Sequence, residues 1–262
     1  MKKNLGKIIA LIIVIALLAY VAIGYYNAFF AAKKNPIVTM NVQVGGEEKT
    51  IKIELYPEYA PNTVANFVNL VKSGYYDGKV FYGTDEASLY FGRNAEGSVE
   101  NATLSKVDSS VVQGTESDKE YEINGEFVAN GFEANKLRHE KGVLSMCRMD
   151  YSQYMSGLTA QGYNSANAQV CIVLNDESSF NGIYAGFGKV IEGMDAVEYI
   201  ANLDKSVPEN AEEAASIDAF VDYPVIKDAS VQTFGIEYDV ETHEPFDYYN
   251  YMYEYYSNYY GG

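Results

Sequence analysis

Two short apolar alternations separated by a glycine pair constrain the fold of this chain most strongly. In IVTMNVQV, residues 37–44, apolar and polar side chains alternate, and IKIEL, residues 51–55, repeats the alternation after Gly45 and Gly46. A period of two residues is typical of a strand with one buried face, and paired glycines favour a tight turn between two such strands. The sequence therefore predicts an antiparallel β-hairpin at the start of its folded part.

An amphipathic helix follows this hairpin. In APNTVANFVNLVKSG, apolar residues from Val64 to Val71 recur at the i, i+3, i+4 and i+7 positions that share one helix face. Pro61 suits the first helical turn, and Gly74 suits the C-terminal cap. A second helix is predicted at GMDAVEYIANL, and further strands at KGVLSM, AQVCIVL and AGFGKV. Two helices among many short strands indicate a mainly β fold, a closed barrel with helical caps rather than a parallel sheet.

The first 34 residues carry a separate signal. Residues 8–32 contain no charged side chain, and such a run is long enough to cross the ~30 Å hydrocarbon core of a bilayer as one helix. Three lysines precede the run, which favours a cytoplasmic N-terminus and an extracytoplasmic remainder. We expect residues 1–34 to be a cytoplasmic stub and a single transmembrane anchor in the cell membrane. The alternative is a signal peptide cleaved near Ala22 and Gly24, which would give a secreted protein.

Charge and composition exclude several classes of function. The chain has 19 basic and 36 acidic residues, a formal net charge of −17, and such a surface repels nucleic acid. Its only cysteines and histidines are Cys147, Cys171, His139 and His243, too few for a zinc cluster. We therefore expect no nucleic-acid partner, no metal and no cofactor.

The C-terminal residues 237–262 differ in composition from the rest. They include FDYYNYMYEYYSNYYGG, in which eight of 17 residues are tyrosine, and contain six acidic residues but no lysine or arginine. Because the pattern has neither a helical nor a strand period, it predicts an acidic, low-complexity, disordered tail. The alternative is that the tyrosines stack on sugars or on partner chains.

Four phrases occur in a fixed order between residues 38 and 236: IELYPEYAPNTVANFVNLVKSGYYDGKVF, YEINGEFVANG with HEKGVLSMCR, NSANAQVCIVL, and NGIYAGFGKVIEGMDAV. In this order they resemble the cyclophilin family of peptidyl-prolyl cis-trans isomerases. The resemblance implies a closed eight-stranded antiparallel barrel capped by two helices, with a proline-binding groove on one outer face. It assigns residues 35–236 to a cyclophilin-like domain.

The family's chemistry identifies the residues that matter in the groove. Rotation about an X-Pro bond faces a barrier of ~20 kcal/mol, because the amide nitrogen shares its lone pair with the carbonyl. In the family an arginine donates a hydrogen bond toward the prolyl nitrogen, aromatic side chains hold the proline ring, and a glutamine holds the flanking peptide. Such a site acts by positioning and electrostatics. In KVFYGTDEASLYFGRN, however, the resemblance places Gly83 at the position of that arginine.

The other candidate groove residues follow from the same resemblance. Ser88 stands at a pocket phenylalanine, Leu89 at a methionine and Phe91 at a glutamine of the family pattern. Gln169 keeps the substrate-holding glutamine, whereas Cys171 replaces a second pocket phenylalanine. The remaining candidates are Met146, Cys147, Arg148, Phe180 and Tyr184. No catalytic residue is assigned.

Single residues leave alternatives open. Arg148 or Arg93 could replace the missing arginine, or could face the acidic surface. Cys147 and Cys171 could form a disulfide that plugs the groove if their Cα atoms lie within ~7 Å, or could be small buried hydrophobic residues. Gln169 could hold substrate or satisfy buried backbone groups.

These observations predict a membrane-anchored, extracytoplasmic cyclophilin-type isomerase that acts on proline-containing exported polypeptides. Its activity is expected to be weak, because the arginine and the pocket aromatics are replaced. The alternative is a non-catalytic peptide-binding or chaperone-like module that uses the remodelled groove. An enzyme must accept a proline ring beside Gly83 and Phe91, whereas a binding module need not. The expected partners are these polypeptides and, through the N-terminal helix, the membrane.

Overall fold

The computed structural model describes residues 2–29, 34–94, 112–113, 120–206 and 217–260. The chain divides into two compact units, Met1–Lys34 and Asn35–Gly262. The first unit contains helix α1, Lys2–Phe29. The second unit contains all the other elements.

The structure corrects the expectation of an N-terminal transmembrane helix. A bilayer span requires about 20 consecutive apolar residues in one helix. In α1, side chains are described only over residues 11–24, and no helix within the described residues is long and apolar enough to cross a membrane. The predicted transmembrane helix is therefore wrong.

The second unit is built around a closed antiparallel barrel. Its eight strands are β1 Ile37–Val44, β2 Glu47–Leu55, β3 Val80–Thr84, β4 Ser88–Arg93, β6 Val143–Met146, β7 Val170–Val173, β8 Gly186–Glu192 and β10 Val225–Gln232. They follow one another around the barrel in the order β10, β1, β2, β8, β6, β7, β4, β3, and pairing of Val225 with Val80 joins β10 to β3 and closes the ring. The predicted eight-stranded barrel is confirmed.

Shorter elements surround the barrel. Strand β9, Asp218–Ala219, pairs with β3 outside the ring, and β5, Val112–Gln113, pairs in parallel with β11, Val240–Glu241. The helices are α2 Pro61–Lys72, α3 Thr159–Tyr163, α4 Met194–Ala201 and α5 Tyr248–Tyr260. Helices α2 and α4 bury apolar faces and cap the barrel, as the sequence periodicity predicts.

The first hairpin shows how the alternating pattern becomes a core. Val38 pairs with Ile53 and Met40 with Ile51, and all four side chains are fully buried. The intervening residues face outward because successive side chains of a strand point to opposite faces. The apolar half of each strand therefore fills the barrel interior.

A carboxylate from elsewhere in the sequence caps α2. The N-cap residue, Ala60, has no side-chain acceptor, so it cannot satisfy the free amide groups of the first turn. The buried Glu126 does so instead, because its carboxylate accepts hydrogen bonds from the backbone N–H of Asn62 at 2.9 Å and of Thr63 at 2.7 Å, and from the Thr63 hydroxyl at 2.7 Å. The start of α2 thus depends on a contact across the fold.

The C-terminal residues have more order than their sequence pattern indicates. Val240 is fully buried in the core cluster. The Asn62 side chain donates to the Glu241 carbonyl at 2.9 Å and accepts from the Glu241 amide at 2.7 Å. These contacts fix the chain to the barrel before α5 begins.

Candidate functional site

An open groove of about 620 Å³ lies on the outer side of the barrel, beside β4, β6 and β7. Strands β6 and β7 pair with each other, and β7 also pairs with β4, so the three form a continuous wall. Of the residues predicted from the sequence, those that line the groove are Met146, Cys147, Arg148, Gln169, Cys171, Phe180 and Tyr184.

Three predicted residues, Ser88, Leu89 and Phe91, do not line the groove. Each is fully buried, and Leu89 and Phe91 belong to the core cluster. Tyr90, which lies between them, faces the groove. Successive side chains of a strand point to opposite faces. If the family pattern is placed one residue out of register on β4, the side chains expected in the groove are therefore the buried ones. The family pattern gives the strand correctly but not which of its faces is buried.

The position of the family's arginine is closed to any side chain. Gly83 pairs with Ala219 of β9. A Cβ atom at Gly83 would lie 2.6 Å from the Asp218 carbonyl oxygen and 2.7 Å from Cγ2 of Ile217, and Ile217 itself lines the groove. Glycine is therefore required here by the neighbouring chain.

Arg93 brings a guanidinium into the groove from the neighbouring strand. Its Nε donates a hydrogen bond to Oε1 of Gln169 at 3.4 Å, and its guanidinium carbon lies 3.9 Å from the centre of the Tyr82 ring. Burial raises the pKa of the Tyr82 hydroxyl, and the nearby Arg93 opposes this shift. The groove thus contains an arginine beside the glutamine that the sequence predicts for substrate holding.

Tyr82 and Tyr90 form an aromatic pair in the same wall. Their ring centres lie 5.9 Å apart. The Tyr90 hydroxyl donates to Oδ2 of Asp85 at 2.7 Å, and burial together with this bond raises the Tyr90 pKa. Both tyrosines are neutral and have flat apolar ring faces, which suit contact with a peptide that carries an apolar ring.

Arg148 has a different environment from Arg93. Its guanidinium carbon lies 4.5 Å from the centre of the Tyr184 ring and 4.9 Å from that of Tyr163, and its Nε donates to the Ile183 carbonyl at 3.3 Å. These contacts tie the loop before β7 to the segment that carries Tyr184. Arg148 therefore acts chiefly as a support of the groove.

The two cysteines lie together in the groove as free thiols. The backbone N–H of Cys147 donates a hydrogen bond to the Gln169 carbonyl at 3.0 Å. Cys171 of β7 pairs with Ser145 of β6, which lies two residues before Cys147. A hydrogen bond with Cys171, and then burial, raise the pKa of Cys147 well above its usual value. Protonated thiols are weak nucleophiles, so the pair behaves as a small apolar surface.

His139 supports the far wall of the groove. It is buried, and its ring nitrogens contact Oγ of Ser145 at 3.0 Å and Oδ1 of Asn181 at 3.2 Å. Burial lowers the His139 pKa. The ring also packs edge-on against Phe180, with 5.7 Å between ring centres. His139 therefore positions groove residues and does not itself line the groove.

Sequence reasoning missed part of the groove. Besides Arg93, which the sequence analysis names as a possible replacement for the arginine, the additional lining residues include Tyr82, Tyr90, Glu122, Met149, Asp150, Tyr151, Gln153 and Tyr154. Alternation along β4 would have identified Tyr90 once Leu89 and Phe91 were placed in the core. No local pattern connects residues 149–154 to the groove, because they are polar and aromatic without a period.

Glu122 gives the groove a pH-sensitive carboxyl group. It is 8% exposed, and its Oε2 accepts a hydrogen bond of 3.2 Å from the backbone N–H of Phe246. Burial raises the Glu122 pKa to about 7, against the lowering effect of the Phe246 amide. Its neutral form is therefore the one that the fold favours.

Stability is expected to fall as the pH rises through the Glu122 titration. A folded-state pKa above the unfolded value means that the folded chain binds more protons, so stability is lost between roughly pH 4.5 and 7. Glu122→Gln should flatten that part of the pH profile and stabilise the fold above pH 7 by at most about 3 kcal/mol. Urea unfolding across this range would measure it, with the exposed Glu58→Gln as control. An unchanged profile in Glu122→Gln would contradict the shift.

A closed antiparallel barrel with two capping helices and a lateral groove defines the class of protein. Residues 38–220 match the family model described as cyclophilin type peptidyl-prolyl cis-trans isomerase/CLD. The chain therefore belongs to the cyclophilin-type peptidyl-prolyl cis-trans isomerase family.

Individual relatives agree with this assignment. Peptidyl-prolyl cis-trans isomerase B of Bacillus subtilis is 31% identical over 154 residues, which cover 59% of this chain and 85% of the relative. A probable peptidyl-prolyl cis-trans isomerase of Brucella suis is 27% identical over 186 residues, 71% of this chain and 83% of the relative. A Cryptosporidium parvum cyclophilin, solved in the presence of the dipeptide Ala-Pro, superposes with a TM-score of 0.50 and 21% identity over 75% of this chain and 98% of that chain. This likeness supports the shared fold.

Proposed function

We propose that the groove binds proline-containing segments of exported polypeptides and catalyses their X-Pro isomerisation weakly, with Arg93 in the role of the family's arginine. The observation that carries the proposal is the Arg93–Gln169 contact beside the Tyr82 ring. This contact supplies a permanent positive charge and hydrogen-bond donors next to an apolar surface.

The chemistry follows from the amide bond. When the X-Pro bond twists, the lone pair returns to the prolyl nitrogen, and a donor aimed at that nitrogen stabilises the twisted state more than the planar one. Arg93 would supply this donor, and Gln169 would orient it. Activity is expected to be low, because Arg93 approaches from β4 and Gly83 on β3 has no side chain. No covalent intermediate is required.

Exchange NMR of a short Ala-Pro peptide with the full-length chain tests the proposal. We expect catalysed cis-trans exchange, and Arg93→Ala should lower its rate by about 100-fold, the usual effect of removing one transition-state donor. Arg138→Ala, at an exposed arginine outside the groove lining, is the matched control and should leave the rate unchanged.

Other outcomes would change the proposal in defined ways. Undiminished exchange in Arg93→Ala would reject Arg93 as the donor. Peptide binding without any catalysed exchange would favour the non-catalytic peptide-binding module. The absence of both would reject the groove as a proline-peptide site.

Location outside the cytoplasm is part of the proposal. Its support is the sequence of residues 1–34, in which lysines precede a long uncharged run. A protease added to intact cells should then digest the domain, and Leu17→Lys, which places a charge in that run, should retain the chain inside. Full protection of the unmodified chain in intact cells, with digestion after lysis, would reject this location.

A further inference from the structure

One wall of the groove comes from the loop after β6. Met149, Tyr151 and Tyr154 line the groove, and Tyr154 is 65% exposed. An aromatic side chain this exposed beside a groove is available for contact with a ligand. The wall extends the groove beyond the Arg93–Gln169 contact.

The C-terminal segment supports this wall through aromatic contacts. The Tyr151 ring lies 5.3 Å from that of Phe246 and 5.8 Å from that of Tyr248, and it is nearly parallel to the latter. The Tyr154 ring lies 5.7 Å from that of Tyr248. We call Tyr151, Tyr154, Phe246 and Tyr248 the tyrosine wall.

The tyrosine wall is anchored to the barrel before any ligand binds. Glu122 and His243 exchange backbone hydrogen bonds of 2.9 Å in both directions. The Asn69 side chain donates to the Tyr238 carbonyl at 2.6 Å. Because these bonds fix the chain on the N-terminal side of Phe246, little conformational entropy remains to be lost on binding.

The two segments that carry the tyrosine wall have charge of one sign. Residues 149–163 and 237–262 contain seven acidic side chains and no lysine or arginine. Arg93 and Arg148 lie in the groove itself. A ligand that leaves the groove and crosses the tyrosine wall therefore meets flat aromatic faces on segments whose charged side chains are all acidic. Aromatic-lined grooves bind the extended polyproline II helix, which loses little entropy on binding, and a negative field favours cationic side chains.

We propose that the tyrosine wall is a second recognition surface for a cationic, proline-rich segment in polyproline II conformation, continuous with the groove. This inference rests on the proposed function, because it names the class of polypeptide that the same groove would select. The C-terminal segment then contributes to specificity by holding the wall in place. The exposed tyrosines of α5 that lie away from the wall, such as Tyr253, have no part in it.

Calorimetry on the full-length chain tests this inference with three peptides: a short Ala-Pro peptide, a Pro-Pro-Lys repeat of about twelve residues, and a Pro-Pro-Glu repeat of the same length. We expect the lysine repeat to bind at least tenfold more tightly than either other peptide. Tyr154→Ala and Tyr248→Ala should each weaken binding of the lysine repeat roughly tenfold, as loss of an aromatic anchor does. Tyr248→Ala, at a residue outside the groove lining, should do so without changing affinity for the short peptide.

Tyr253→Ala is the matched control, since Tyr253 lies on α5 and is 74% exposed. Urea unfolding of each variant identifies losses caused by misfolding. Equal affinity for the short peptide and the lysine repeat would overturn the inference while leaving the proposed function intact, as would equal effects of Tyr154→Ala and Tyr253→Ala. Equal binding of the lysine and glutamate repeats would overturn the choice of a cationic ligand. If none of the peptides binds, the proposed function fails as well.

Discussion

Gly83→Arg is expected to destabilise the barrel by about 3 kcal/mol and to leave isomerase activity no higher, although it restores the family's residue at the family's position. A Cβ atom at this position would approach the Asp218 carbonyl oxygen to 2.6 Å and Cγ2 of Ile217 to 2.7 Å. Strand β9 would have to move away from β3, and its pairing with Gly83 would be lost. Urea unfolding gives the loss of stability, and exchange NMR gives the rate.

Gly157→Arg is the matched control for this prediction. A Cβ atom at Gly157 meets nothing within 4 Å, so the same added side chain should be tolerated. Native-like stability of Gly83→Arg, with faster exchange of an Ala-Pro peptide, would show that β9 can move away from β3 with little loss of stability. The family's arginine would then have been lost without steric necessity.

Glu126→Ala is expected to lower the free energy of unfolding by about 3 to 4 kcal/mol, because it leaves buried donors without a partner. The substitution removes the acceptor of the Asn62 and Thr63 amides and of the Thr63 hydroxyl. It also removes a negative charge from the N-terminus of α2. Urea unfolding followed by circular dichroism would measure the loss.

Two further variants sharpen the test of Glu126. Glu126→Gln keeps one acceptor oxygen and should lose less stability than Glu126→Ala. Glu58→Ala, at an exposed glutamate near the same helix, should change stability by less than about 0.5 kcal/mol. Equal stability of Glu126→Ala and the unmodified chain would mean that water replaces the carboxylate as the cap of α2.

The two regions of the groove come from different parts of the chain. The Arg93–Gln169 contact joins β4 to the residue before β7, whereas the tyrosine wall combines the loop after β6 with the C-terminal segment, which lies beyond the residues that match the family model. A guanidinium supplied from β4 also changes the direction from which a donor reaches the peptide. The groove therefore joins barrel residues inside the matched range to C-terminal residues outside it.

Local patterns in the sequence were sufficient for the barrel and its capping helices. The alternation in β1 and β2 and the helical spacing in α2 depend only on which side chains must leave water, so they can be read within a few residues. The family phrases added the order of the strands and the position of Gln169. They did not give the buried face of β4, where Leu89 and Phe91 turn inward and Tyr90 outward.

Only the tertiary structure decided which side chains meet in the groove. Arg93 and Gln169 are 76 residues apart in the chain, and Gly83 is closed by β9, more than a hundred residues later. The order of the C-terminal segment likewise depends on Val240 reaching the core and on Asn62 binding Glu241. Periodicity is a property of neighbours in sequence, whereas these contacts depend on strand pairing and register, which bring distant residues together only after the barrel closes.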